Sequence, residues 1–399
     1  MPTTEELSTR LRNETDLSKI SGTLAAVASS RFDVVAPQSA MNVNDGIITI
    51  TDPNGEPQLT DEGVTSPVIE ATYSRMAERQ IAGRLRIPVQ YLDRLNAADV
   101  GSALPELADH SINTLATADN RKALYRFLRA DDGLLLRSIL SDSYGLFDND
   151  RALHALIEGL GAFGLGLGDC QVKGDVTPDQ LRLRITVPAI ELAVPDLLGD
   201  YRMPFSMKPE NGMHDRPDAG ETPPVLWAGI EIGNSETGNG TFFVRPRAEV
   251  AICRNGLVKP IEFKRAHLGA RLSDGEINWS GETRQNVYKL VASQVADVVR
   301  TYLSTDYLET IATEMRAAKG VEIRSAASAI EVVTDQIGLT DDEQRNVFDY
   351  FARGGDSTLL GLGQAVTAAA QLVEDGDRQS ELEGEFWNVL NSPARYATV

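Results

Sequence analysis

An α+β protein is predicted, with a mainly antiparallel β-sheet core, flanking helices and a helical C-terminal domain. Three features of the sequence predict it. Leu181, Leu183, Ile185 and Val187 alternate with Arg182, Arg184 and Thr186, the period-two pattern of a strand with one buried face. Two further β-type runs, Val225 to Ile232 and Thr241 to Cys253, flank a connection containing Gly233-Asn234 and Gly238-Asn239-Gly240. From Val287 the period changes: Leu290, Val291, Val295, Val298, Val299, Tyr302 and Leu303 recur at helical spacing.

The elements follow in order. Residues 1–30 read as a short peripheral helix, with widely spaced apolar positions at Leu7, Leu11 and Ile20 to Leu24. Gly46 to Thr51 is rich in β-branched residues and ends at Asp52-Pro53-Asn54-Gly55, which predicts a hairpin there. Val68, Ile69, Tyr73, Met76 and Ile81 suit a helix begun by a Ser or Thr cap after Thr65-Ser66-Pro67. A second helix is expected from Ile87-Pro88, because proline is tolerated in a first turn. Leu134 to Leu140 reads as a strand, and Asp148-Asn149 caps a helix through Leu153, Leu156 and Leu160. The glycines at 161, 164, 166 and 168 follow a helix, not a strand, so they read as a helix end and turn.

Residues 195–224 are punctuated by proline and glycine, which predicts a long loop. Thr340 precedes Asp341, Asp342 and Glu343, acids favoured near a helix N-terminus. The alanine-rich stretch 364–373 and the stripe Phe386, Trp387 and Leu390 predict two more helices. The division expected is an N-terminal helix and hairpin over 1–64, an α+β core over 65–278 and an acidic helical domain over 279–399.

Composition narrows the function. With 42% apolar residues, the chain can bury a large core. Its apolar runs fall short of the roughly 18 to 20 residues that a membrane span needs. The acidic N-terminus and the two cysteines, Cys170 and Cys253, fit a cytoplasmic protein without a disulfide framework. No phosphate loop, nucleophile elbow or paired-histidine metal motif is present. Cys253 and His267 supply two metal ligands where about four are needed. No cofactor or metal is therefore expected, and a non-enzymatic protein is favoured, with a metal-dependent nuclease left open as an alternative that no motif supports.

Charge is unevenly spread. The net value is −20, yet Val244 to Arg271 holds seven bases (Arg245, Arg247, Arg254, Lys259, Lys264, Arg265 and Arg271) against Glu249 and Glu262. A second basic cluster comprises Arg75, Arg79, Arg84, Arg86 and Arg94, against Glu78 and Asp93. If the strands carrying Arg182, Arg184, Arg245 and Arg247 are neighbours, four guanidinium groups share one face, a surface suited to phosphates. Arg254, Lys264 and Arg265 would extend it, and Phe243, Trp227 and Tyr201 would stack unpaired bases. The alternative is that these arginines pair with the chain's excess acids, with the acid-rich C-terminal part shielding them.

The stretches Arg79 to Leu92, Leu136 to Tyr144 with Asp148-Asn149, and Gly233 to Gly238 resemble a phage and plasmid family catalogued as domain of unknown function 932. So do Cys253 to Leu257 and His267-Leu268-Gly269, and the tail Phe386 to Asn391 resembles the family's closing aromatic motif. The resemblance implies a mobile-element setting. With the arginine patch it leads to an oligomeric, non-enzymatic single-stranded-DNA binding or annealing protein of recombination or replication; the alternatives are an assembly factor whose acidic C-terminal helices bind a basic or DNA-handling partner, and a nuclease, which needs a metal dependence the sequence does not advertise.

Overall fold

The computed structural model describes residues 2–51, 58–60, 63–65, 67–96, 104–198, 224–250, 255–258, 263–265, 281–373 and 375–396. The first part of the chain forms α1 (Thr4–Leu7), β1 (Leu11–Glu14), α2 (Leu17–Ser30), β2 (Arg31–Pro37), β3 (Met41–Asn44), β4 (Ile47–Thr51), β5 (Gln58–Thr60), β6 (Gly63–Thr65) and β7 (Val68–Tyr73). It continues through α3 (Arg75–Leu85), α4 (Val89–Asn96), α5 (Leu104–Thr117), β8 (Lys122–Ala130), β9 (Gly133–Ser141), α6 (Asn149–Ala162), β10 (Gln171–Val176), β11 (Gln180–Ala193) and α7 (Pro195–Leu198). Then come β12 (Val225–Ser235), β13 (Phe242–Val250), β14 (Asn255–Val258) and β15 (Phe263–Arg265). The last third is α8 (Gly281–Tyr302), α9 (Thr305–Lys319), α10 (Ala326–Ile337), α11 (Asp341–Gly354), α12 (Leu359–Ala370), α13 (Gly376–Leu390) and α14 (Pro393–Tyr396). The α+β class expected from the sequence is the one observed.

The larger sheet is antiparallel, in the order β1-β10-β11-β12-β13-β14, with β15 also on β13. The smaller runs β2-β8-β9-β7-β4-β3, and within it β7 and β9 pair in parallel. Alternation decides what each face of the larger sheet meets. Leu181, Leu183, Ile185, Ile230, Ile232 and Val244 fall on one side and are fully buried. Helices α2, α6, α8 and α9 cover them. Each such aliphatic side chain contributes about 1.5–3 kcal/mol by leaving water.

Several expectations are corrected. Val68–Tyr73 is a strand, and its helix starts only at Arg75, where the Ser74 side chain accepts a hydrogen bond from the Ala77 amide. The β-branched Val68, Ile69 and Thr72 favoured a strand over a loose helical spacing. The hairpin into β4 turns at Asp45-Gly46, both with positive φ, whereas Asp52 to Gly55 lies outside the described residues. The N-terminal segment is not peripheral. Ile20 and Leu24 of α2 join the main core, and β1 extends the larger sheet. Of the expected loop, Pro195–Leu198 is helical and 199–223 falls outside the described residues.

The C-terminal helices share the sheet's core instead of building their own. Leu183, Ile230, Val295, Leu308, Val366 and Trp387 belong to one continuous apolar cluster. Helix α11 starts where the acids after Thr340 predict, and Thr340 caps it in a reciprocal pairing with Glu343. Helix α12 is buried along its whole length, which explains its alanine and glycine content. Among the described residues, no helix is long and apolar enough to cross a membrane.

A candidate anion-binding cleft at the rim of a sealed arginine face

The polar side of the larger sheet is a ladder of in-register rows. Arg182, Gly233 and Phe243 stand side by side on β11, β12 and β13. The next row is Arg184, Glu231 and Arg245, and the one after it Thr186, Gly229 and Arg247. The condition on which the sequence gathers four guanidinium groups on one face, that these strands lie together in one sheet, is met, with β12 between the two that carry them.

The expectation that the four face solvent is overturned. Arg182 and Arg245 both pair with Glu231, which lies between their strands and is itself fully buried. Arg184 pairs with Asp175 at 2.8 Å, and Arg247 with Glu383. Side-chain exposure is 2% for Arg184 and 1% for Arg247, against 13% for Arg182 and 16% for Arg245. A phosphate backbone has no route to Arg184 or Arg247. With Glu249 accepting from Thr186 at 3.0 Å, four arginines here meet four carboxylates: Asp175, Glu231, Glu249 and Glu383.

Helix α13 closes the face. Gln379, Ser380 and Glu383 lie one and four positions apart, on one side of the helix. The Gln379 side-chain carbonyl accepts from Arg184 at 3.2 Å. The Ser380 hydroxyl donates to Glu231 at 2.7 Å, and Gln371 of the turn after α12 donates to Glu383 at 2.9 Å. Burial by itself would raise the Glu231 carboxyl, but Arg245, Arg182, Arg184 and Arg247 outweigh it and hold the group well below the usual carboxylate range. Glu383 follows the same logic. Burial raises it, and Arg247 and Arg184 bring it down.

What stays open is a cleft of about 670 Å³ at the Arg182 end of the ladder. Arg10, Arg12, Arg182, Arg245, Phe243 and the β12 end at Gly233 to Ser235 line it, with Asp175 and Asp375 as its acids. Four bases against those two and the Glu231 beneath leave it about one charge positive. The half-buried Phe243 ring lies over Gly233. A Cβ there would come within 2.3 Å of the ring, so only glycine lets the aromatic lie across the strand. The guanidinium groups of Arg182 and Arg245 sit 5.3 and 5.0 Å from the ring centroid. Arg12 also donates to the Val373 carbonyl.

The remaining expected site residues are not in this cleft. Trp227 is half-buried three rows from Gly233, between Glu191 and Glu249. Lys264 and Arg265 lie on β15 against Phe242 and Phe243, and only their backbone is described. Arg254 and Tyr201, like Cys253 and His267, lie outside the described residues. Among the described residues, no three His, Cys, Asp or Glu side chains converge to hold a metal ion.

The motif stretches converge elsewhere, at the junction of the two sheets. Gln80 donates to the Thr237 carbonyl at 2.6 Å and accepts from the Ile139 amide at 2.7 Å. Arg137 pairs with Glu236 at 2.6 Å. The Tyr144 hydroxyl donates to the Ser235 carbonyl, and Asn234 donates to Phe147 and Asn149. Arg126 on β8, which no motif marked, binds Asp33, Asp148 and the Glu236 carbonyl. Burial raises the Asp148 carboxyl, but Arg126 and Arg31 override it and pull it below its ordinary value. These buried groups fix the β12 end that borders the cleft. Comparison of the chain with protein-family models, curated proteins and solved structures found no match.

Proposed function

We propose that this protein is a non-enzymatic DNA-handling factor that holds a short single-stranded segment in the cleft, stacking a base on Phe243 and meeting phosphate with Arg10, Arg12, Arg182 and Arg245. One observation carries the reading: an aromatic ring laid across Gly233, flanked by two guanidinium groups, in an opening of nucleotide size. The resemblance to a phage and plasmid family supports a role in recombination or replication. Annealing of complementary strands by an oligomer belongs to the same proposal.

Fluorescence anisotropy with a single-stranded oligonucleotide across a salt series tests it. Affinity should fall as salt rises, and Arg10→Ala with Arg12→Ala should shallow the logarithmic slope by about 1.4, at roughly 0.7 per phosphate contact on a single strand. Phe243→Ala should weaken binding by about 1–3 kcal/mol. Absence of binding at low salt, or binding indifferent to salt, discards the proposal.

A second reading has its own support. Because the ladder's arginines are matched internally, the net −20 resides elsewhere on the molecule. An assembly factor would use that anionic surface, including the C-terminal helices, to hold a basic partner. Salt-sensitive association with such a partner, together with indifference to oligonucleotides, would favour it.

A further inference from the structure

The second basic cluster, on α3 and α4, holds two residues that local propensity disfavours. Gly83 sits in the last turn of α3, where glycine costs helix stability relative to alanine. A Cβ placed there would meet nothing within 4 Å, so packing inside the chain does not require glycine. Arg86, which ends the same helix, adopts φ 58° and ψ 33°. That left-handed conformation suits glycine better than an L-residue, although it lets the Arg86 and Ile87 amides close the helix end on the Gly83 and Ala82 carbonyls. Gly83 in particular has no packing reason inside the described chain, and such local departures are expected at functional surfaces.

The two positions share one face. Arg75, Arg79 and Gly83 recur at intervals of four as one exposed stripe on α3, and Arg86, also exposed, follows at its C-terminal end. Three residues, Arg86-Ile87-Pro88, connect to α4, whose exposed face carries Gln90, Tyr91 and Arg94. Ile81, Ala82, Leu85, Ile87, Leu92 and Leu95 bury the other sides of this pair, with α5 packed behind. The surface is thus rigidly backed.

Electrostatics separates this cluster from the sheet face. Glu78 and Asp93 both pair with Arg75. Among the described residues, the guanidinium groups of Arg79, Arg86 and Arg94 enter no ion pair or hydrogen bond. Arg84 turns inward to the Gln38 side chain and the Lys122 carbonyl. Five bases face two acids, and three of the five cations remain uncommitted.

We propose that α3 and α4 form a docking surface for duplex DNA. Two helices joined by three residues, the first of them left-handed, make the connection used by helix-turn-helix units. Helix α3 lies along the phosphate backbone, which approaches closely at Gly83 between Arg79 and Arg86. Helix α4 presents Gln90, Tyr91 and Arg94 to the major groove, where glutamine and arginine match adenine and guanine edges. The major groove of an RNA duplex is too narrow to admit it. This surface is distinct from the single-strand cleft and does not depend on it.

Anisotropy of the full chain with a short labelled duplex, over a salt series, tests the assignment alongside thermal melting. Arg86→Gly relieves the left-handed strain, so the melting temperature should hold or rise while duplex affinity falls and the salt slope shallows by about 1. Arg79→Ala with Arg94→Ala should shallow it by about 2. Three results overturn the proposal: no duplex binding at low salt, unchanged affinity in both variants, or a loss that follows Phe243→Ala and not Arg86→Gly. The last would transfer duplex contact to the cleft, whereas loss of single-strand binding alone would count only against the cleft.

Discussion

The sheet ladder and the α3–α4 surface are both arginine-rich in sequence and opposite in state. On the ladder every guanidinium group faces a carboxylate, and α13 lies over them. On the helices Arg79, Arg86 and Arg94 stand uncommitted among the described residues. The difference is one of origin. Arg75 finds its carboxylates 3 and 18 positions away, on its own helix and the next, and leaves its neighbours without any. Arg247 finds Glu383 across 136 positions, from an element that packs down only when the chain folds. A count of local charge cannot tell these cases apart; folding can.

The contrast predicts that the same class of substitution has very different costs in the two regions. Glu231→Ala leaves Arg182 and Arg245 facing each other without their shared carboxylate and should cost about 3–5 kcal/mol in urea unfolding. Acid should act next. Glu231, Glu383 and Asp148 are all held below their ordinary values, so their contribution is complete above the unfolded range of about 3.9–4.3. It is lost as pH falls through their lower folded values, by up to about 1.4 kcal/mol per pH unit for each group. Denaturant midpoints should hold from neutrality to about pH 5 and fall steeply below about pH 4. A midpoint that falls only in proportion to net charge would remove the buried carboxylates from the account. Smallest of all, Arg79→Ala should shift stability by no more than about 0.5 kcal/mol, the range of an unpartnered surface side chain.

Much of the fold was legible where a single physical signal dominated. Strict alternation at Leu181–Val187 identified both faces of β11, and the acids Asp341, Asp342 and Glu343 after Thr340 marked the start of α11. The strand Lys122–Ala130 gave no such signal, because Ala123 to Leu128 is buried on both sides and its alternation is blurred. Arg126 was missed with it. Val68–Tyr73 misled in the opposite direction, since six residues with apolar spacing suit either element until Ser74 is seen to cap the helix. The rows of arginines could be foreseen from the period-two rule, and their pairing with the chain's acids was the alternative reading that the structure bears out. Which acids do it could not be read, because Asp175, Glu231 and Glu383 come from three separate elements.

The claim on which most depends is that Arg247 and its companions are committed inward. A double-mutant cycle on Arg247 and Glu383, read by urea unfolding, tests it most directly. Each single replacement by alanine should cost about 3–5 kcal/mol, and the double replacement should cost clearly less than their sum. Single costs under about 0.5 kcal/mol that simply add would place both groups in solvent and contradict the sealed face.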